Sequence, residues 1–261
     1  MPDLESDPFP YAPRVHYKNA PLFNVVCQLR FPPILRLEGQ APADFQEAIR
    51  GTFPLLERMQ PPILSQIPPE ILQGIQMQGG WTFLTEDRSI SVGLSVDSIS
   101  LTVAKYERWE RFTELLYGPL VALERIYKPA FFTRIGLRYQ DLILRSALGL
   151  DGVPWSMLFR SEIMGELSVP AIEENLEDAR RVLRLKLPAI GASVLLQHGM
   201  GFRPDRGPEQ GYMIDLDFYT TSKVEVSDAK QSIDNLHGGV GRAFRWCISD
   251  RLHAALDPVP L

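Results

Sequence analysis

The chain has 261 residues, enough for one large domain or two smaller ones, and its 45% apolar and 23% charged content reads as a globular protein with a substantial core. That balance excludes disordered and collagen-like classes. The formal charge is −5, with 15 acidic and 12 basic side chains in residues 1–128 and 17 and 15 in residues 129–261, so neither half is a basic module and the sign is wrong for broad duplex nucleic-acid binding, which leaves room for a local anion site.

No apolar run approaches the roughly 18–20 residues needed to cross a bilayer. The opening MPDLESDPFPYAP is acidic and proline-rich where a signal peptide is basic and then apolar, so a cytoplasmic protein without membrane contact is expected. Cys27 and Cys247 are the two cysteines, too few for a disulfide framework or a multi-cysteine zinc site, and both read as buried thiols in a reducing compartment.

Residues 1–15 read as a flexible arm. Pro21-LFNVVCQLRF is a strand because Val25, Cys27, Leu29 and Phe31 alternate with Asn24, Val26, Gln28 and Arg30. A short helix follows over Ala41–Phe53, with Pro42 near its first position. The proline-rich Phe53-PLLERMQPPILSQIPPE reads as an extended connector. Strands are predicted at Leu72–Leu84, Ser89–Ser95 and Ser98–Ala104, the last two joined by a tight hairpin at Val96-Asp97. A helix from Arg108 to Tyr127, stopped by Pro129, turns Phe112, Leu115, Leu116, Leu120, Leu123 and Ile126 inward.

The same order then recurs. Phe131-FTRIGLRYQDLIL is a strand, a weak helix lies near Pro154-WSMLFRS, and strands follow at Arg181–Leu187, Ala192–Met200 and Gly211–Tyr219. The last helix runs from Asp228, capped by Ser227, to Leu256, with Ala229, Ile233, Leu236, Val240, Phe244, Ile248, Leu252 and Ala255 as its inward stripe. Each half, 16–128 and 129–261, is therefore β-α-β-β-β-α. Pro21, Phe23, Leu29, Arg30 and Phe31 match Pro129, Phe131, Leu137, Arg138 and Tyr139 at one offset, which points to duplication. The expected fold is α+β: two repeats forming a broad curved antiparallel sheet with two long helices packed on one face and the other face open. The order resembles helix-grip or TATA-binding-protein-like topology, without the charge for DNA binding.

Tyr17-x-Asn19-x-Pro21 leading into VVCQLRF, the later Phe53-Pro54, the Arg134-Ile-Gly-Leu-Arg-Tyr139 strand and His237-x6-Phe244 together resemble a sporadically distributed, uncharacterised prokaryotic protein family of about this length, over nearly the whole chain. The resemblance implies a stand-alone product of prokaryotic or phage origin, near mobile or defence genes in some members, and brings no activity with it. The family commonly carries an acidic residue where Asn24 stands, so no catalytic carboxylate is implied there.

Arg134, Gly136, Arg138 and Gln140 share one strand face, and Gln28 and Arg30 hold the matching positions of the first half. Guanidinium forks bind carboxylate or phosphate bidentately, so these residues are a candidate anion site, and the competing reading is cross-strand pairing with Asp215, Asp217 or Glu162. Asp215 and Asp217 point to one side of their strand and are the alternative, a metal or general acid/base pair. His237 precedes Gly238, Gly239 and Gly241 inside a long helix, where glycines permit close approach and the histidine reads as a helix contact.

Arg203, Asp205 and Arg206 lie in a long inter-strand loop suited to a partner. Arg180, Arg181, Arg184 and Lys186 are the densest basic cluster; Glu173, Glu174, Glu177 and Asp178 precede them, an order that suits a short helix with internal pairing. No nucleophile elbow, metalloprotease, Walker or dinucleotide motif is present and no cofactor is called for. The expected function is non-catalytic recognition of a protein partner or small anionic ligand on the open sheet face, in a defence or toxin-neutralising setting. The alternative is a metal-dependent hydrolase or nuclease using Asp215 and Asp217.

Overall fold

The computed structural model describes residues 8–59, 79–203, 209–220 and 222–261. The protein is mixed α+β with a large antiparallel sheet. Its strands are β1 (Val15–Tyr17), β2 (Leu22–Arg30), β3 (Leu55–Met59), β4 (Gly80–Leu84), β5 (Ile90–Leu94), β6 (Ser98–Val103), β7 (Arg134–Ile143), β8 (Arg180–Leu187), β9 (Ala192–Phe202), β10 (Gln210–Thr220) and β11 (Pro258–Pro260). The helices are α1 (Arg36–Gly39), α2 (Ala43–Ile49), α3 (Trp109–Tyr127), α4 (Ser161–Met164), α5 (Pro170–Glu173), α6 (Ala229–Cys247) and α7 (Asp250–Ala255). Among the described residues no helix is long and apolar enough to cross a membrane.

Two compact units divide the chain discontinuously. One gathers Val26–Ile135 and Ser222–Lys230; the other gathers the chain up to Val25, Gly136–Thr221 and Gln231–Leu261. In the first unit the strand order is β3-β4-β5-β6, with the Val26–Arg30 part of β2 next to β6. Alternation sets the faces: Val25, Cys27 and Leu29 are buried while Val26 and Gln28 are half-buried and Arg30 is exposed. The β5–β6 hairpin turns at Val96-Asp97, where Ser95 N–H donates to the Ser98 carbonyl at 2.9 Å and the Ser95 hydroxyl to Asp97 at 3.0 Å. Phe45 of α2 packs on Phe83 of β4 and Tyr127 of α3, at ring separations of 5.3 and 6.4 Å. Helix α3 ends at Lys128 in the left-handed conformation, before Pro129.

The proline-rich connector contains a strand that its composition does not advertise, β3, paired with β4 from Leu55↔Leu84 to Met59↔Gly80. The predicted strand at Leu72–Leu84 is observed from Gly80; its beginning lies outside the described residues.

In the second unit the order is β7-β10-β9-β8. The expected inward stripe of the last helix is buried from Ala229 to Leu252, yet the helix is broken. Helix α6 stops at Cys247, Ile248 bridges to Phe159, and the Ser249 hydroxyl caps α7 by accepting from Leu252 N–H at 3.2 Å. Helical periodicity continues through the break, so its cause is tertiary: Arg160 N–H and Ser249 N–H bond across to the Cys247 and Leu158 carbonyls. Ser227 is not the cap expected of it; it sits in a 3-10 turn, Val226–Asp228, and donates to Asp228. The arm read as flexible is anchored from Phe9, which is buried against Phe218 and Trp246, while β1 pairs with β11.

Of the three glycines in α6, Gly239 makes the close approach to the sheet. A Cβ there would lie 2.6 Å from the Phe218 ring, whereas one at Gly241 meets nothing within 4 Å. Gly239→Ala should therefore cost about 1–3 kcal/mol by overpacking. Gly241→Ala should stabilise by up to about 1 kcal/mol through helix propensity. Urea unfolding of the two variants checks the contrast; equal shifts of the same sign would contradict it.

Candidate functional site: the solvent-facing side of the β7-β10-β9-β8 sheet

Helix α6 marks the inner side of this sheet. Tyr139 of β7 and Phe218 of β10 face it, through a Tyr139–His237 hydrogen bond of 3.1 Å and the Gly239 contact. Side chains of register partners in a sheet share a face, and neighbours along a strand alternate. Arg138, Gln140 and Leu142 of β7, Met213, Asp215 and Asp217 of β10, Leu195 and Gln197 of β9, and Arg180, Val182, Arg184 and Lys186 of β8 accordingly share the opposite, outer face.

Its centre is a hydrogen-bonded chain. Arg138 Nε donates to Asp215 Oδ1 at 2.7 Å and Arg138 Nη2 to Asp215 Oδ2; Gln140 Nε2 donates to Asp215 Oδ2 at 2.9 Å; Asn24 Nδ2 donates to Gln140 Oε1 at 3.0 Å. The cross-strand alternative for Arg138 is the one realised, and the hydrogen bonds to Asp215 hold its guanidinium more firmly protonated. Asp217 stands directly opposite Arg138 in register. Both oxygens of Asp215 are engaged, so Asp215 and Asp217 do not form a pair of available carboxylates. Among the described residues no group of three or more His, Cys, Asp or Glu is placed to hold a metal ion.

In the other unit Arg30 lies 3.6 Å from Asp97, Gln28 is half-buried on the face of Val26 and Arg30, and Arg134 lowers the thiol pKa of Cys27 against a larger upward push from burial, which leaves it at about 12. Arg203 lies over the Phe23 ring at 4.3 Å, beside a cleft of about 200 Å³ lined by Pro21, Leu22, Leu142, Leu144 and Leu148. Asp205 and Arg206 lie outside the described residues.

The basic cluster lies on the strand expected at Arg181–Leu187, observed as β8, and not on the short helix that its charge order suits. Arg180, Arg184 and Lys186 project from the outer face of β8, and Arg181 turns inward to bond the Ile163 carbonyl at 2.6 Å and pair with Glu166. The acids that precede the cluster are occupied elsewhere or stand off: Glu173 accepts from Trp155 N–H, and Asp178 lies 3.9 Å from Arg180.

Beneath the sheet lies a buried acid that no local motif marks. Asp141 is buried on the inner face, and desolvation first, then the Asp215 charge, pushes its carboxyl up to about 8. Its own charge raises the pKa values of Tyr17 and Cys247 further, where burial already dominates. Alternation with Leu137, Tyr139 and Ile143 was the available signal. Three tyrosine–histidine bonds complete the inner polar set: Tyr139–His237, Tyr17–His253 at 2.8 Å, and Tyr212–His198 at 2.8 Å. Burial pushes His198 down to about 4.

Truncating the two ends of the central ion pair should have unequal effects. Asp215 is 3% exposed and keeps only the Gln140 amide of its side-chain partners when Arg138 is removed, whereas the Arg138 side chain is 42% exposed and can rehydrate when Asp215 is removed. Arg138→Ala should cost about 3 kcal/mol and Asp215→Ala about 1–2 kcal/mol. A double-mutant cycle by denaturant unfolding measures both; equal costs, or a coupling near zero, would contradict the assigned geometry.

No protein-family model matches the chain, and no curated protein matches it.

Proposed function

We propose that the chain is a non-catalytic recognition protein that engages a protein partner through the outer face of the β7-β10-β9-β8 sheet. The observation that carries the reading is the state of the central charges. Asp215 is satisfied by Arg138 and Gln140, which leaves a paired, pre-organised polar centre. Half-buried Gln197, Met213 and Leu195 and exposed Val182 surround it, a mixture of polar and apolar side chains suited to a protein interface. A small anion is the weaker form of the proposal at Arg138, because the carboxylate of Asp215 already occupies the guanidinium fork.

The finer architecture belongs to the same proposal: two duplicated β-α-β-β-β-α halves. In support, the opening strand lies beside the last strand in each, with the middle and first strands of the trio following outward, as β2-β6-β5-β4 and β7-β10-β9-β8. A prokaryotic defence or toxin-neutralising setting accords with the family resemblance of the Tyr17-x-Asn19-x-Pro21 and Arg134–Tyr139 segments.

The test is a photo-crosslinking amino acid placed at Gln197 on the outer face and, as control, at Val121, which is exposed on α3. A defined protein adduct at Gln197 that is absent from the control and re-forms from purified components is the expected result. Identical adduct patterns at both positions, or none at Gln197, would refute the proposal.

A further inference from the structure

The strand at the end of this sheet has two properties that its neighbours lack. Among the described residues β8 pairs with β9 alone, so its second edge carries backbone N–H and C=O groups with no strand beside them. It also carries a positive island on a chain whose net charge is −5. Arg180, Arg184 and Lys186 are exposed on one face, and their register partners on β9 are Gly199, Leu195 and Ser193, none of them acidic. Among the described residues Arg184 and Lys186 form no ion pair, and the nearest acid to Arg180 is Asp178 at 3.9 Å.

Basic side chains alone would protect an edge from pairing. Here they frame apolar surface instead: Val182 is 63% exposed between Arg180 and Arg184, and Leu183 is 40% exposed on the other face. No proline interrupts Arg180–Leu187.

We propose that β8 is a docking edge for an extended acidic segment of a partner protein, which adds to the sheet as a further strand. This rests on the reading of the chain as a recognition protein and names the chemistry of what it recognises. The partner's backbone pairs with the free edge of β8. Its acidic side chains, at alternate positions, share the face of Arg180, Arg184 and Lys186, and the intervening apolar side chains fall on the opposite face beside Leu183. Affinity then has two separable parts, one set by charge and one by backbone donors.

Fluorescence anisotropy of the full chain with a labelled short peptide alternating Glu and Val tests both. Binding that weakens with salt is expected, with a loss of about tenfold or more on charge reversal at Arg184→Glu and Lys186→Glu together. A similar loss is expected for Val182→Pro, which introduces a residue that strand pairing tolerates poorly. Should Val182→Pro unfold, the same question is put by N-methylating every amide of the peptide, which must abolish binding. Circular dichroism and the thermal midpoint establish that the charge-reversal variant is folded.

The edge site is overturned by absence of binding at low salt, by equal binding of the N-methylated peptide, or by equally effective competition from a single-stranded oligonucleotide of the same charge. Failure of the peptide with the Gln197 adduct intact overturns the edge site alone. Failure of both overturns the recognition reading itself.

Discussion

Replacing Asp141 by asparagine should raise stability at neutral pH by about 2–4 kcal/mol and change the shape of its pH dependence. The folded carboxyl titrates at about 8, far above an unfolded aspartate near ~3.9. Between those values the native state holds a proton that the unfolded chain has released, so stability falls as pH rises, by up to ~1.4 kcal/mol per unit. His198 acts in the opposite sense. Its folded pKa of about 4 lies below the ordinary ~6.5, so the unfolded chain binds the extra proton and stability rises with pH across that window.

The two slopes oppose each other between about pH 4 and 6.5, and above that window the Asp141 slope tilts the curve downward to about 8. Asp141→Asn should therefore be flat above about pH 6.5 and should expose the uncompensated rise below it. Urea unfolding of both proteins across this range is the measurement. Parallel curves would show that Asp141 is solvated or paired in the folded state.

Periodic features of the chain were legible because they are local. Alternation in VVCQLRF and RIGLRYQDLI located β2 and β7 and separated Arg138 and Gln140 from Tyr139. The same alternation placed Asp141 among Leu137, Tyr139 and Ile143, but a lone aspartate invites an assumption of exposure that its strand position denies. What could not be read is whatever depends on distant pairing. Tyr17 and His253 are far apart in sequence, and the break between α6 and α7 is imposed by Leu158, Phe159 and Arg160 rather than by a glycine or proline within the helix.

Charge order along the chain does not by itself fix the element that carries it. The acids before Arg180 suit helical pairing, while the apolar pattern of Arg181–Leu187 suits a strand, and the strand is what forms, its alternate side chains separating Arg181 from Arg180 and Val182. That distinction changes the meaning of the cluster, since a self-paired helix offers nothing to a partner and an edge strand offers both charge and backbone.

The start of that edge is packed tightly against Gly199, and Gly199→Ala should be among the most damaging single-methyl additions at the described glycines. Gly199 has φ +149°, in a region that side chains rarely adopt, and a Cβ built there would lie 1.9 Å from the Ala179 carbonyl oxygen and 3.0 Å from Arg180 Cα. These are backbone atoms and cannot swing aside. The same carbonyl accepts the Met200 N–H at 2.9 Å, so relieving the clash pulls apart the start of the β8–β9 ladder. A cost of at least about 3 kcal/mol is expected, from overpacking and backbone strain together.

Gly191→Ala is the control, because it also carries a positive φ, +60°, but has open space around its Cβ position. It should cost only about 1 kcal/mol. Thermal and urea unfolding compare the two, and amide hydrogen exchange should place the excess loosening of Gly199→Ala in Arg180–Leu187. The same variant should bind the alternating Glu-Val peptide more weakly, because the N-terminal end of β8 that presents Arg180 would no longer be held against β9. Equal destabilisation by the two alanines, or unchanged exchange in β8, would mean that the close approach at Gly199 does not hold the edge in place.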